Sequence, residues 1–188
     1  MDTFDAIARR TSTRAFKDAP LARHTIERLL AAAVRAPNHK LTEPWRFAVL
    51  AGESKRRYAE LRAAYRAEKF KDQPDELAKR AEKARREVLD TPAFVVVMCA
   101  TSDDPVRREE DYGAVMMATE NLLVAAAADG IGTSLRTGSI MDQDEVRALA
   151  HVPAGYRIVG IIALGYLATE PEPTPRKKPL AEVVEWLD

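Results

Sequence analysis

Two stripes of apolar residues near the start of the chain have the spacing of amphipathic helices. The first stripe contains Phe4, Ile7 and Ala8, and the second contains Ile26, Leu29, Leu30, Ala33 and Val34. The second helix should end near Ala36, because Pro37 disfavours a helical backbone in the residue that precedes it. A polar loop over 38–44 then leads to residues 45–50, whose composition predicts a strand.

Long helices are predicted for the middle of the chain. Residues 54–89 are dense in Lys, Arg, Glu and Ala, which is typical of partly exposed helices, and a break is expected near Pro74. Residues 112–129 are apolar almost all round and precede Gly130, a common helix stop, so they predict a central core helix. A membrane span is disfavoured there, because Glu120 interrupts a stretch shorter than the roughly 20 apolar residues that a bilayer requires.

Two continuous apolar runs, 94–100 and 158–164, predict strands that are buried on both faces. Between them, Asp142 with Glu145 three residues later resembles an N-terminal capping arrangement for a short helix that ends at Ala150. The elements therefore alternate irregularly, with helices before and between a small number of strands.

The tail after Tyr166 is rich in Pro and charge, so it should wrap over a surface rather than enter a core. With few strands and one unusually apolar helix, the pattern predicts a mixed α+β domain. We expect this single domain to span 1–188 and to complete its burial against a partner.

The charges of the chain balance, with 29 Lys and Arg residues against 29 Asp and Glu residues. This balance leaves no global field that would gather nucleic acid or an anionic membrane surface, so any anion site must be local. Cys99 is the single cysteine, which excludes an internal disulfide and predicts a buried structural thiol. Residues 1–5 lack the basic and apolar regions of a signal peptide, and we expect a cytoplasmic protein.

Cationic and hydroxyl groups are concentrated directly after the first helix. They belong to Arg9, Arg10, Thr11, Ser12, Thr13 and Arg14. Such groups donate many hydrogen bonds to a phosphate, and Arg does so through a bidentate fork. The alternative is a solvated helix end, where cations interact favourably with the helix dipole.

Two further segments could complete a ligand site. The loop 35–47 is held by Pro37 and Pro44 and presents Asn, His and cations to a heteroaromatic ligand. Glycines in 130–138 let backbone amides approach a ligand closely. This is not a dinucleotide fingerprint, because Leu135 stands where GxGxxG requires its third glycine. Taken alone, each segment is also compatible with a loop that has no function.

Four motifs occur in order along the chain: the Arg-x-Ser-x-Arg segment 10–14, the Ala-Pro-Asn-His loop 36–39 followed by Pro44 and Trp45, the glycine-rich segment 130–138, and a basic-Pro-Leu-x-x-Val-Val signature in 177–184. Together they resemble the nitroreductase family in order, spacing and residue type, over essentially the whole chain. The loop is most similar to that of the short members of the family. The resemblance implies an α+β fold with a central, mostly antiparallel sheet flanked by helices, in a homodimer.

The same resemblance implies that FMN binds at the dimer interface and is reduced by NAD(P)H. The phosphate and ribityl chain would be held by Arg10, Thr11 and Ser12, and the pyrimidine ring would lie near Arg14. The other subunit would contribute Arg35, Pro37, Asn38 and His39. The isoalloxazine edge and the phosphate end would be lined by Ser134, Leu135, Arg136, Thr137 and Gly138.

No catalytic protein residue is implied, because hydride transfer takes place at flavin N5. The expected reaction is the reduction of nitroaromatics, quinones or similar electron-poor compounds with ping-pong kinetics. Reduction of activated alkenes or halogenated aromatics is an open alternative within the flavoproteins. The chain departs from the family pattern at Arg176 and Lys177, which form a shifted basic set, so phosphate contact and a solvated tail both remain open.

Other chemistries have weaker support in the sequence. The basic segment 79–86 raises the alternative of a non-catalytic interaction protein that binds nucleic acid, but Glu82 interrupts it and it contains no aromatic residue. His24, His39 and His151 lie in separate segments, so no metal site is predicted. We therefore expect a small-molecule substrate, with neither nucleic acid nor membrane as a partner.

Overall fold

A single antiparallel sheet forms the centre of the molecule. The computed structural model describes residues 1–170 and 178–187. Four strands lie in the order β1-β2-β4-β3, and every neighbouring pair is antiparallel. Their bounds are Trp45–Leu50 for β1, Ala93–Ala100 for β2, Ile131–Arg136 for β3 and Tyr156–Tyr166 for β4. The prediction of an α+β fold built on an antiparallel sheet is confirmed.

Six α-helices flank this sheet in the described residues. Their bounds are Thr3–Arg9 for α1, Arg23–Ala33 for α2, Gly52–Lys69 for α3, Pro74–Leu89 for α4, Pro105–Ala128 for α5 and Asp144–Leu149 for α6. The break between α3 and α4 falls where the sequence predicts it, because Pro74 occupies the first helical position, which needs no N–H donor.

The two central strands are buried on both faces. Successive side chains of a strand point to opposite faces. Val95 and Val97 of β2 therefore pack with α2 and α5, whereas Phe94 and Val96 pack with Tyr58 of α3 on the other side. Burial on both faces explains why these strands appear in the sequence as continuous apolar runs.

Helix α5 begins earlier than its apolar pattern indicates. It starts at Pro105 rather than near Tyr112, because Asp104 caps it by accepting a hydrogen bond from the Val106 N–H at 3.0 Å. Its first two turns are polar and exposed, so hydrophobic periodicity does not reveal them. None of the helices in the described ranges has the length and apolar character needed to cross a membrane.

Two local predictions were wrong. Residues 131–136 form the edge strand β3 and not a glycine-rich loop, because they pair with β4 along their whole length. Asp142 does not cap α6: it belongs to the 3-10 helix Ser139–Asp142, and α6 follows Gln143 without a side-chain cap. The 3-10 turn uses the residues on which the capping prediction was based.

Several large apolar side chains are exposed to solvent in the single chain. Phe4 is 84% exposed and Leu41 is 82% exposed, and Trp186 near the end of the described tail is 87% exposed. Others are Ile7, Val34, Met117, Leu180, Val183, Val184 and Leu187. Isolated apolar residues on a surface are normal, but seven of these ten lie on the two terminal elements, α1 and the tail 178–187. Apolar exposure is thus concentrated at the two ends of the chain, and concentrated exposure is typical of interaction sites.

Candidate functional site

Residues 10–14, called the basic segment from here on, follow α1 and lie along the free edge of β3. Arg10 ends α1, and Ser12 forms a parallel bridge with Thr133. The N–H of Thr13 donates to the Thr133 carbonyl oxygen at 2.8 Å. An edge strand offers unpaired backbone groups, and the basic segment uses them. Two of the motifs found in the sequence are therefore adjacent in the structure.

Gly132 makes this close approach possible. A Cβ atom at this position would lie 2.7 Å from the Thr13 side chain and 2.8 Å from Leu167. Thr13 itself is buried, with 8% of its surface exposed. The glycine thus serves the packing of the basic segment on β3, in addition to any role beside a ligand.

A large groove opens where β3 ends. Its volume is about 1040 Å³, and it lies between the basic segment, the end of β3 and the α3–α4 pair. From the sequence-predicted set it is lined by Arg14, Ser134, Arg136 and Thr137. The rest of the lining adds the cations Arg62, Arg66 and Lys83 and the carboxylates Asp18, Glu87 and Asp90. With Arg14 and Arg136, five cations face three carboxylates along its walls.

Aromatic rings support the inner end of the groove. The Arg136 guanidinium lies 5.5 Å from the centre of the Phe94 ring, a cation–π contact. Phe94 in turn packs edge-on against Tyr58, with 5.3 Å between the ring centres. Burial lowers the pKa of Arg136, and the nearby charge of Arg62 lowers it further.

Three buried polar atoms have no hydrogen-bond partner within 1–170 and 178–187. They are Thr11 Oγ1, Arg62 Nε and Arg136 Nη1. A buried donor without a partner is costly and rare in folded proteins, so each of these atoms fits a hydrogen bond to a bound ligand. Two of the three line the groove.

Arg10 and Thr11 line a different, smaller hollow of about 60 Å³ beside the first half of β3. Arg10 Nε lies 3.2 Å from Glu120 Oε1 of α5. Ser12 is exposed and lines neither cavity, whereas Thr13 lines both of them. Arg10 and Arg136 are therefore close in the fold but do not share one cavity.

The predicted residues of the 35–44 loop lie away from this groove. Asn38 Oδ1 accepts a hydrogen bond from the Glu43 N–H at 2.9 Å. His39 Nδ1 lies 3.7 Å from Glu110 Oε1, and its side chain is 55% exposed. Pro37 is exposed, and Arg35 lines a hollow against α1 and α5. None of the four lines the groove of its own chain.

Leu135 and Gly138 shape the end of β3. The position of a Cβ on Gly160 would fall 2.6 Å from Leu135, so the leucine packs tightly on the neighbouring strand. Gly138 has φ 132°, which L side chains rarely adopt. The strand can therefore turn away sharply beyond the groove.

The groove residues from α3 and α4 are absent from the sequence prediction. Arg62 and Arg66 are four residues apart, which places them on one helix face. Their region contains many other cations, so spacing alone does not separate groove residues from solvated ones. Arg176 and Lys177 lie outside the described residues, and their role stays open.

The basic helix α4 is largely neutralised by carboxylates. Arg85 pairs with Glu60 at 2.7 Å and with Glu82 at 2.8 Å. Arg86 pairs with Glu82, and Arg80 pairs with Glu76. These ion pairs are typical of a solvated helix face and do not favour the nucleic-acid alternative.

Two other expectations concern Cys99 and metals. Cys99 is buried, as predicted, and burial raises its pKa to about 11. It is therefore protonated at neutral pH and is not an activated nucleophile. Within the described ranges, no group of three His, Cys, Asp or Glu side chains is placed to hold a metal ion.

Comparison with known proteins agrees with this architecture. The model of the nitroreductase family matches residues 7–166. The chain is 30% identical over 168 residues to YfhC of Bacillus subtilis (strain 168), a protein named provisionally as an NAD(P)H nitroreductase. That alignment covers 89% of this chain and 86% of YfhC.

Solved structures show the same fold. A nitroreductase-like family protein from Bacillus cereus superimposes with a TM-score of 0.85 and 29% identity, covering 100% of this chain and 97% of that one. The FMN- and NADPH-dependent nitroreductase NfnB from Sphigopyxis sp. strain HMH gives a TM-score of 0.77 at 19% identity, with 100% of both chains covered. The latter likeness shows the fold alone.

The match to the family model, on a chain with this antiparallel sheet and cationic groove, identifies an oxidoreductase of the α+β type. The chain belongs to the nitroreductase family.

Proposed function

We propose that the protein is a homodimeric, FMN-dependent oxidoreductase that uses NAD(P)H to reduce electron-poor organic compounds. The observation that carries this proposal is the groove at the end of β3. There Arg14, Ser134 and Arg136 come together, and a buried N–H of Arg136 lacks a partner among the described residues. Family membership supports the choice of a flavin as the ligand.

The donor set fits FMN. Arg10, Thr11 and Ser12 offer two kinds of phosphate donor, guanidinium and hydroxyl, and Thr11 Oγ1 is buried without a partner in the described chain. Arg14 and Arg136 supply positive charge along the groove. The ring edge would be met by Ser134, Leu135, Arg136, Thr137 and Gly138. When bound, the flavin supplies the hydride chemistry of the reaction.

The residues of the chain bind and orient rather than exchange protons. Arg14 and Arg136 stabilise negative charge that develops during reduction, because a fixed cation in a partly dry groove needs no reorganisation. Phe94 and Tyr58 exclude water beneath Arg136, since both rings are buried. No acid or base from the protein is required.

A second subunit completes the site. Arg35, Pro37, Asn38 and His39 do not line the groove of their own chain, yet three of them are exposed and available to a partner. The exposed apolar set that includes Phe4 and Trp186 supports an interface between two copies. We place FMN at this interface. The single buried thiol supports a reducing, cytoplasmic location.

Nitroaromatics and quinones are the proposed acceptors, reduced with ping-pong kinetics after the oxidised nicotinamide, NAD(P)+, has left the groove. Activated alkenes or halogenated aromatics are the alternative acceptors. The groove leaves both possible, because the cations along its walls attract electron-poor acceptors in general and do not distinguish these two classes.

The test is the identity and redox behaviour of the bound cofactor. Purified protein is expected to be yellow, to release FMN on heating, and to lose its flavin absorption when NADH or NADPH is added without oxygen. A nitroaromatic or quinone should then restore the colour. Protein that neither copurifies with FMN nor binds it when it is supplied would refute the proposal.

A further inference from the structure

Most cations of the α3–α4 pair already have a partner. Carboxylates lie within 4.0 Å of Arg56, Arg62, Arg80, Arg85 and Arg86. Lys55 donates to two backbone carbonyl oxygens, and Lys69 lies over the Tyr65 ring. Within 1–170 and 178–187, the cations of these two helices that have no such partner are Arg57, Arg66, Lys79 and Lys83.

These four residues differ in their relation to the groove. All four are exposed. Arg66 of α3 and Lys83 of α4 line the groove, whereas Arg57 and Lys79 do not. The helices therefore bring unpaired positive charge to the groove through Arg66 and Lys83, while most of their other cations are neutralised or bonded.

Arg66 and Lys83 lie one helical turn beyond an ion pair. The two helices are antiparallel, since Lys55 near the start of α3 donates to the carbonyl oxygen of the last residue of α4, at 2.9 Å. Arg62 of α3 and Glu87 of α4 approach to 4.0 Å. One turn closer to the connection between the helices, Arg66 takes the place of Arg62. By the same step along α4, Lys83 takes the place of Glu87. The first level thus pairs a cation with a carboxylate, and the second level brings two cations together.

The carboxylates of the groove do not compensate this second level. Glu87 belongs to the first level. Burial lowers the pKa of Lys55, and the charges of Asp18 and Asp90 act in the opposite direction, so both carboxylates lie near Lys55. Asp90 is also about 10 Å further along α4 than Lys83, at 1.5 Å per residue. Neighbouring like charges are unfavourable, and a cleft lined by one sign of charge attracts the opposite sign.

A terminal phosphate suits two cations of this kind. A phosphate monoester carries about −1.5 to −2 charges at pH 7. Arg66 offers a planar fork of donors and Lys83 a compact ammonium group, and both bind phosphate. Arg66 lies about 12 Å along α3 from Tyr58, whose ring packs at the inner end of the groove. The FMN phosphate is assigned to residues 10–12, so an anion at Arg66 belongs to a second ligand.

We propose that Arg66 and Lys83 form a subsite for the 2′-phosphate of NADPH and give the enzyme a preference for NADPH over NADH. The proposal rests on the proposed function, which places the flavin ring along 134–138 and requires the nicotinamide to lie on that ring. The adenosine end then extends along the groove, toward the connection between α3 and α4. NADH lacks the 2′-phosphate and leaves the two cations without an anion.

The binding experiment compares NADP⁺ with NAD⁺ on the FMN-loaded protein, because the two differ only in the 2′-phosphate. Isothermal titration should give NADP⁺ about 2- to 30-fold higher affinity, since an exposed charge contact contributes about 1.4- to 5-fold and the phosphate makes two of them. The difference should shrink as salt is added, because both cations are exposed. Values of kcat/KM for NADPH and NADH should follow the same order.

Variants that each remove one positive charge identify its source. Arg66→Met and Lys83→Met should each reduce the preference for NADP⁺, and the double variant should abolish it, with little change in NAD⁺ affinity. Arg57→Met and Lys79→Met are the matched controls, one on each helix, because both residues are exposed but do not line the groove. Both controls should keep the full preference.

Three results would overturn the subsite. They are equal affinity of the wild type for NADP⁺ and NAD⁺, equal loss of preference in the Arg66→Met and Arg57→Met proteins, and equal loss of both dinucleotides in the Arg66→Met protein. In the last case the cation would contact the diphosphate that both dinucleotides share. The flavin content tests the proposed function separately. Protein that binds no FMN would refute that function, and a preference for NADP⁺ that depends on Arg66 and Lys83 would still support the subsite.

Discussion

The buried carboxylate of Asp111 accepts a hydrogen bond from the Thr42 hydroxyl, with 2.7 Å between Asp111 Oδ1 and Thr42 Oγ1. Asp111 is only 3% exposed, and this bond joins the second turn of α5 to the 38–44 loop. Three non-glycine residues of that loop, Lys40, Leu41 and Glu43, have positive φ angles of 53°, 52° and 44°. Such conformations persist only where surrounding contacts hold them.

Loss of this contact should loosen the loop that carries Asn38 and His39. Thr42→Val removes the donor and leaves a buried carboxylate oxygen less well satisfied, so we expect a loss of about 1–3 kcal/mol in the free energy of unfolding. Urea denaturation measures this loss. Thr169→Val, at an exposed position, is the control. If the two variants unfold at the same urea concentration, Thr42 does not hold the loop.

The same variant should also affect the dimer, because the loop is proposed to reach the partner subunit. We expect Thr42→Val to weaken FMN binding more at low protein concentration, where dissociation competes. Titration of the apoprotein with FMN at two protein concentrations would show the effect. A concentration-independent affinity would argue against a role of the loop at the interface.

Gly132→Ala tests the contact between the basic segment and β3. The new methyl group would meet the Thr13 side chain at 2.7 Å and Leu167 at 2.8 Å, so we expect a cost of about 1–3 kcal/mol from overpacking. FMN affinity should fall as well, because Thr13 lies between Arg10 and Arg14. Thermal unfolding and flavin titration give the two readouts.

Gly113→Ala provides the opposite case in the same protein. Gly113 lies in α5, and no neighbouring atom would lie within 4 Å of an added Cβ. Alanine is favoured over glycine inside a helix by roughly 0.5–1 kcal/mol, so this variant should be neutral or more stable. A loss of stability in Gly113→Ala comparable to that of Gly132→Ala would mean that steric crowding is not the cause.

The sequence predicts the parts of the fold that are marked by continuous or periodic apolar residues. Strands β2 and β4 are buried on both faces, so their apolar runs are unbroken. Strand β3 is not predicted, because Gly132, Thr133 and Ser134 have the composition of a turn. Their conformation is set by pairing with β4, a contact that is distant in sequence.

The same distinction applies to the candidate site: some of its residues can be predicted from the sequence, and others are revealed only by the fold. Arg14, Ser134 and Arg136 are placed in the groove, and they are found from the sequence because they belong to compact motifs. Arg62 has no such motif, since it lies in a helix with many cations. Only the fold shows that its side chain points inward, with 13% exposed, while Arg57 on the same helix is exposed.

Cys99 should make stability depend on alkaline pH. Burial raises its pKa from an ordinary value of 9.0 to about 11, so the folded state favours the protonated thiol. The unfolded chain releases this proton first as the pH rises. The stabilising effect is therefore complete below about pH 9 and is lost as the pH passes through about 11.

Comparison of the wild type with Cys99→Ala isolates this effect from the titration of Lys and Tyr residues. The difference in unfolding free energy between the two proteins should be constant from pH 7 to below about 9. It should then shift against the wild type at higher pH. A difference that does not change with pH would show that the thiol has an ordinary pKa in the folded protein.

Arg10 is the residue on which the phosphate assignment depends, and it is ion-paired with Glu120, with 3.2 Å between Arg10 Nε and Glu120 Oε1. Glu120 is 54% exposed, so the pair itself should contribute only about 0.2–1 kcal/mol. If Arg10 binds the FMN phosphate, Glu120 competes with it. Glu120→Gln should then strengthen FMN binding by about 1.4- to 5-fold, the range that this pair energy allows.

Riboflavin, which lacks the phosphate, separates this effect from a general change in the groove. Arg10→Met should weaken FMN binding by roughly 10- to 100-fold, because a charge-assisted hydrogen bond is lost. Riboflavin binding should be nearly unchanged in both Arg10→Met and Glu120→Gln. Fluorescence titration of the apoprotein with each flavin measures all four affinities. Parallel losses for FMN and riboflavin in the Arg10→Met protein would place the phosphate elsewhere, since the guanidinium would then support the whole ligand and not its charged end.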